Sequence, residues 1–164
     1  MKKNSLLIIA IALILASCGQ KENEWGRFYG FTQDDIVGHY EANPDQSLYE
    51  PLPNEVETIY DNASIDVTAA GSSSISLHIV IPDVINKSFT GPINTASGNQ
   101  SNITMTNIIN NYNKEDIMLT VYKNAKGQVR FHGRVKHYRY SSQPGHENEL
   151  VQSENWGFDV IKEE

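Results

Sequence analysis

The stretch Ile117-Met118-Leu119-Thr120-Val121-Tyr122-Lys123-Asn124-Ala125-Lys126-Gly127-Gln128-Val129-Arg130-Phe131-His132-Gly133-Arg134-Val135 decides the fold. Asn124-Ala125-Lys126-Gly127 suits a type I turn closed by a glycine bulge, which sets Asn124 opposite Gln128 and fixes the register of everything beyond. That register pairs Val121 with Phe131, Leu119 with Gly133 and Ile117 with Val135 on one face. On the other it pairs Tyr122 with Arg130, Thr120 with His132, Met118 with Arg134 and Asp116 with Lys136. One face is apolar and the other polar or amphipathic, a division that a slip of one residue would scramble. Turn chemistry and side-chain pattern therefore agree on a half-buried antiparallel hairpin.

Outward from the hairpin the chain reads as strands, with apolar residues at alternate positions and no helical spacing. A first strand is expected over 36–41, then a long loop holding Pro44, Pro51 and Pro53, none of which suits a central ladder. Residues 63–69 set Ile65 and Val67 against Ser64, Asp66 and Thr68. After a turn at Gly71-Ser72-Ser73, Ile75, Leu77, Ile79 and Ile81 share one face until Pro82 stops the strand. Short strands are expected at 87–93 and 101–108, and an Asn-rich loop over 107–113. A last strand, 155–162, brings Trp156, Phe158 and Val160 to one side after a loop containing Pro144, Gly145 and His146. This makes about eight strands joined locally, without the crossovers that parallel pairing needs. The fold class expected is all-β, an antiparallel meander that closes into a small barrel and so removes its edges, with a β-sandwich as the alternative.

The amino terminus carries a different message. Lys2 and Lys3 precede an apolar run over 6–15 and the small residues Ala16 and Ser17, the three parts of a secretory signal. The run is too short to span a bilayer, which takes about 20 apolar residues. Leu15-Ala16-Ser17-Cys18 resembles the lipobox of bacterial lipoproteins, which implies a diacylglycerol on the Cys18 thiol, cleavage just before it and acylation of the new amino terminus. Several acyl chains, at about 0.8 kcal/mol per buried CH₂, hold far more firmly than one. The expected organisation is a signal peptide over 1–17, the lipidated cysteine and a polar tether over 18–24, and a β domain over 25–164 that opens with Trp25, Phe28, Tyr29 and Phe31. The tether is similar to the acidic stretches that follow the lipid cysteine in lipoproteins that the Bacteroidota export to the cell surface, with Lys21-Glu22 its nearest match; a plain solvated linker is the other reading.

Of 13 Lys and Arg residues, losing Lys2 and Lys3 with the signal leaves 11 against 20 acids, a formal charge of −9. Such a surface argues against nucleic acid and anionic head groups as partners. Cys18 is the one cysteine, so no disulfide is available and stability has to come from packing.

Gly38-His39-Tyr40 in the first strand resembles the Gly-x-Trp opening of the calycin and lipocalin group, with Tyr in place of Trp. The plan of signal, lipid cysteine, Gly-x-Tyr strand and β meander resembles the calycin-like lipoproteins of the Bacteroidota. Trp156 departs from that pattern, standing in a last strand where lipocalins tend to carry a basic residue. The resemblance implies an outer-membrane lipoprotein, anchored through Cys18 and exposed at the cell surface or facing the periplasm.

No catalytic motif emerges: there is no Gly-x-Ser-x-Gly elbow, His-Glu-x-x-His or phosphate loop, and a lipidated Cys18 is no nucleophile. The protein is expected not to be an enzyme and to need no cofactor. His132 and His137 point to opposite faces of one strand and cannot share a metal. His39 and Glu41 share a face but need a third ligand from a neighbour, and Asp34-Asp35 and the acids over 61–66 lack calcium-loop spacing. No metal site is expected.

Two functional readings remain. In the first, Arg130, His132, Arg134, Lys136, Tyr138 and Tyr140 line one face of one strand and form a contact patch for an acidic protein or glycan, Arg and Tyr being favoured at interfaces. In the second, Ile117, Leu119, Val121, Phe131, Gly133, Val135, Trp156 and Phe158 line a barrel interior that holds a small apolar ligand. The first, a lipid-anchored envelope protein acting through its surface, is the reading preferred.

Overall fold

The computed structural model describes residues 25–44, 58–93 and 101–164. The segments expected to form the signal and the tether, with Cys18, Pro51 and Pro53, lie outside the described residues. The elements in order are β1 (Gly26–Arg27), α1 (Gln33–Ile36), β2 (Gly38–Ala42), β3 (Thr58–Tyr60), β4 (Ser64–Ala69), β5 (Ser74–Ile81), β6 (Ile85–Pro92), β7 (Asn102–Asn110), β8 (Asn113–Lys123), β9 (Val129–Tyr140) and β10 (Leu150–Lys162).

The β8–β9 hairpin has the expected register at every pair: Val121 faces Phe131, Leu119 faces Gly133, Ile117 faces Val135, and Asp116 faces Lys136. Its turn closes as the sequence requires, with Gly127 at φ +88°. Gly127 N donates to Asn124 O at 3.0 Å. The Asn124 side chain accepts from Lys126 N at 3.1 Å and Gln128 N at 3.0 Å. One asparagine thus satisfies the backbone donors of the loop it initiates.

The fold class is all-β: among the described residues, a single open sheet of ten strands in the order β1-β8-β9-β10-β2-β4-β5-β6, with β7 also on β8 and β3 also on β10. The strands β4–β5–β6 and β7–β8–β9–β10 are meanders. The five-residue strand β2 pairs with the last strand, β10, Tyr40 opposite Lys162, and so joins the two meanders into one sheet. Its two free ends, β6 and β7, approach without a ladder: Asn107 Nδ2 donates to Ser88 O at 2.7 Å, and Met105 lies over Gly91.

Four details depart from expectation. Two short strands, β1 and β3, raise the count from eight to ten. β3 runs parallel to β10, Thr58 beside Trp156, where only antiparallel pairing was expected. The Asn-rich loop is instead a hairpin, in which β7 runs to Asn110 and the Asn110 side chain accepts from Tyr112 N at 2.8 Å and from the Asn113 amide at 3.0 Å. Finally, Ile36 ends a single helical turn rather than starting a strand. Thr32 and Asp35 cap that turn reciprocally, Thr32 N donating to Asp35 Oδ2 at 2.8 Å.

The interior is filled by one face of each strand. Along β5, Ile75, Leu77, Ile79 and Ile81 are wholly buried, alternating with half-exposed residues. Each fully buried side chain of this size stabilises by about 1.5–3 kcal/mol relative to exposure. Tyr40 stacks on Phe131 with centroids 4.3 Å apart, and its hydroxyl donates to Ile36 O at 2.7 Å. Burial raises that phenol well above its ordinary pKa and keeps it a donor. The aromatic of Gly-x-Tyr therefore ties the helical turn and the last strands into one core.

Candidate functional site

The outward side of β9 begins in a sealed ionic cluster. Arg130 is 1 % exposed and Asp159, on β10, is 0 %. Arg130 Nε donates to Asp159 Oδ1 at 2.6 Å and Nη2 donates to Oδ2. Asn43 Nδ2 lies 3.2 Å from Oδ1, and His132 Nδ1 lies 3.2 Å from Oδ2. Trp25 and Tyr122 cover the guanidinium, their ring centroids 5.5 and 5.9 Å from its carbon. Burial acts to raise the Asp159 carboxyl, but hydrogen bonds from His132 and Arg130 and the guanidinium charge outweigh it and hold the pKa below the usual carboxylate value.

Arg130 is therefore no part of an exposed row. It neutralises a buried carboxylate under the amino-terminal segment. The other members of the row stay half-exposed on β9. Lys114 and Lys136 approach the Tyr138 ring, at 4.5 and 5.1 Å, and Tyr138 stacks on Tyr140 at 6.4 Å. Arg134 borders a surface recess of about 280 Å³.

On the inward side, Ile117, Leu119, Val121, Phe131, Val135 and Phe158 are all buried in the core. Gly133 and Trp156 are half-buried. A Cβ on Gly133 would collide with Met118 O and come within 2.8 Å of Leu119 Cδ2. Opposite Gly133 there is thus a packed leucine and a strand backbone, not a ligand chamber. The recesses beside Arg134, beside the β8–β9 turn and beside α1 all open on the surface.

Two further polar groupings complete the inventory. His39 Nδ1 meets Asp66 Oδ1 at 2.6 Å and Nε2 meets Glu41 Oε1 at 2.6 Å, while His78 reaches Asn86 at 2.8 Å. The bonds to Asp66 and Glu41 raise the His39 pKa above 6.5. Both ring nitrogens are engaged by carboxylates, giving a hydrogen-bonded belt over β2, β4 and β5. No group of His, Cys, Asp and Glu suited to a metal occurs among the described residues. At the seam, Glu115 is 2 % exposed, with Lys87 Nζ at 2.9 Å and His137 Nδ1 at 3.3 Å from Oε1.

Sequence reasoning missed Asp159, Asn43 and Glu115. Glu115 was within reach, because the hairpin register continued by one residue pairs it with His137. Asp159 was not, since the β9–β10 pairing follows a long connection with no turn signature to count from. The chain matches no protein-family model, no curated protein and no solved structure.

Proposed function

We propose that the protein is an outer-membrane lipoprotein of the cell envelope, held through lipid on Cys18, whose β domain works through its outer face rather than as an enzyme. The contact surface is the outward side of β9, from His132 and Arg134 through Lys136 to Tyr138 and Tyr140, and the partner is an acidic protein or glycan. One observation carries this reading: the inner face is occupied by the chain's own side chains, while cations and tyrosines stay accessible outside. Binding of a small apolar ligand against the inner face of the sheet has no comparable support, since Leu119 fills the space beside Gly133.

The anchor and the surface are tested separately. Cys18→Ser should accumulate as uncleaved precursor that takes up no labelled fatty acid; normal processing would sink the lipoprotein reading. The double change Arg134→Gln and Lys136→Gln, with Arg130 left intact, should keep the fold and sharply reduce capture of partners from envelope extract. Full capture by the folded double variant would end the surface reading. Lipid retained by the wild type in native mass spectrometry, and lost on Leu119→Trp, would favour the interior instead.

A further inference from the structure

We propose that Lys87 and Asn107 join in an intramolecular isopeptide bond that ties β6 to β7, with Glu115 moving the protons; the inference is independent of the anchor and of the contact surface. The two strands share no backbone ladder among the described residues, and side chains span the gap instead. Met105 lies against Gly91, and Asn107 Nδ2 donates to Ser88 O at 2.7 Å, so the antiparallel approach of the strands brings Lys87 level with Asn107. Glu115 stands directly opposite Asn107 on β8, and residues so paired share a face with Cβ atoms about 4.5–5.5 Å apart. Lys87 lies on the inward face of β6 with Ile85 and Phe89, as Glu115 lies with Ile117 on β8. β7 runs between these strands, so the Lys87 side chain passes Asn107 to put Nζ 2.9 Å from Glu115 Oε1. The Asn107 amide is thus bracketed by an amine and a carboxylate.

These are the groups that an amide exchange needs. The Lys87 ammonium passes a proton along its 2.9 Å contact to Glu115, which leaves a nucleophilic amine beside an amide. The amide turns from Ser88 O, the Nζ lone pair attacks Cγ, and the protonated Glu115 donates to Oδ1. As the tetrahedral centre collapses, Glu115 relays protons from Nζ and Oδ1 to Nδ2, the Cγ–Nδ2 bond breaks, and Nδ2 leaves as ammonium. One C–N bond forms, one breaks, Glu115 returns to its carboxylate, and no oxidant or cofactor enters. Holding the reactants in one folded chain is worth an effective concentration of about 10⁵–10⁸ M when the geometry is productive. Phe89, Met105 and Ile117, the inward neighbours two residues along each strand, are buried and keep water from the core side of the site. His137 Nδ1, 3.3 Å from the same Glu115 oxygen, holds the carboxylate in place. The link suits a chain whose single cysteine, Cys18, has no second thiol to pair with.

The test is a tryptic peptide map of the purified full chain by tandem mass spectrometry, with circular dichroism on each variant. Wild type should give a branched peptide joining Lys87 to Asn107, lighter than its two parts by one ammonia, and no cleavage after Lys87. Lys87→Arg keeps a cation beside Glu115 and should keep the fold, yet it should lose the branch, a loss that a purely structural ion pair does not predict. Asn107→Ala should lose it as well. Glu115→Gln should leave most chains unlinked, since removing a general acid–base slows such a step about a hundredfold or more. Wild type cleaved after Lys87, with both peptides at full mass, overturns the proposal whether or not any variant folds. A branch that persists in Asn107→Ala, or that forms at the wild-type level in Glu115→Gln, overturns it equally.

Discussion

Arg130 and Arg134 stand four residues apart in one strand, and the structure assigns them opposite energetic roles. Arg130→Gln should destabilise the protein by about 3–5 kcal/mol in urea unfolding, because it strands a carboxylate that is 0 % exposed. Arg134→Gln should cost no more than about 1 kcal/mol, as for an exposed charge. Because the folded-state pKa of Asp159 is depressed, its contribution is present above the unfolded carboxylate pKa and is lost as pH falls through the folded value. His39 has the opposite sign. Its raised pKa gives stability that is full below pH 6.5 and lost as pH rises through the folded value, with a shallow slope because the ring is 40 % exposed. Asp66→Asn should flatten the melting temperature against pH above 6.5 and leave the acid limb governed by Asp159 unchanged. Alternation along β9 correctly put Arg130 on the outer face, but an outer face is not always a wet one, and the covering Trp25 comes from the far end of the chain.

The β8–β9 hairpin was legible in full, since a turn with strict backbone demands and a period-two pattern specify the same pairing independently. Gly127→Val should lower stability by about 1–3 kcal/mol, because a β-branched residue at φ +88° is strained. Lys126→Val should stay within about 0.5 kcal/mol, as surface changes usually do. Equal melting temperatures for the two variants would contradict the turn. Helix α1 escaped notice for a reason of scale: four residues cannot display a 3.6-residue period, and its signature was the cap, Thr32 with Asp35 three residues on. The Asn-rich segment misled because asparagine favours turns in general, whereas here Asn110 builds one tight turn and its neighbours continue the ladder.

Across the whole molecule, the sheet is strongest through β8, β9 and β10 and weakest where β6 meets β7. There a side-chain bond from Asn107 to Ser88 O and the buried Glu115 with Lys87 and His137 stand in for a backbone ladder. Native-state hydrogen exchange should therefore show the outer amides of β6 and β7 opening at lower free energy than the β8–β9 pairs. Asn107→Ala should widen that gap while leaving protection in β9 and β10 unchanged. Uniform protection through the seam would indicate that the sheet is closed there.

The amino-acid order settled whatever depends on neighbours along the chain: the alternation that buries Ile75 to Ile81, the stop at Pro82, and the hairpin register from Asn124 and Gly127. These follow from backbone geometry and apolar periodicity, which act within a few residues. The pairing of β10 with β2, the parallel strand β3, the burial of Arg130 and the recess beside Arg134 came only with the folded chain. Each brings together segments separated by tens of residues, and long-range contacts leave no spacing in the sequence because the loops between them can take many lengths at little cost in closure entropy.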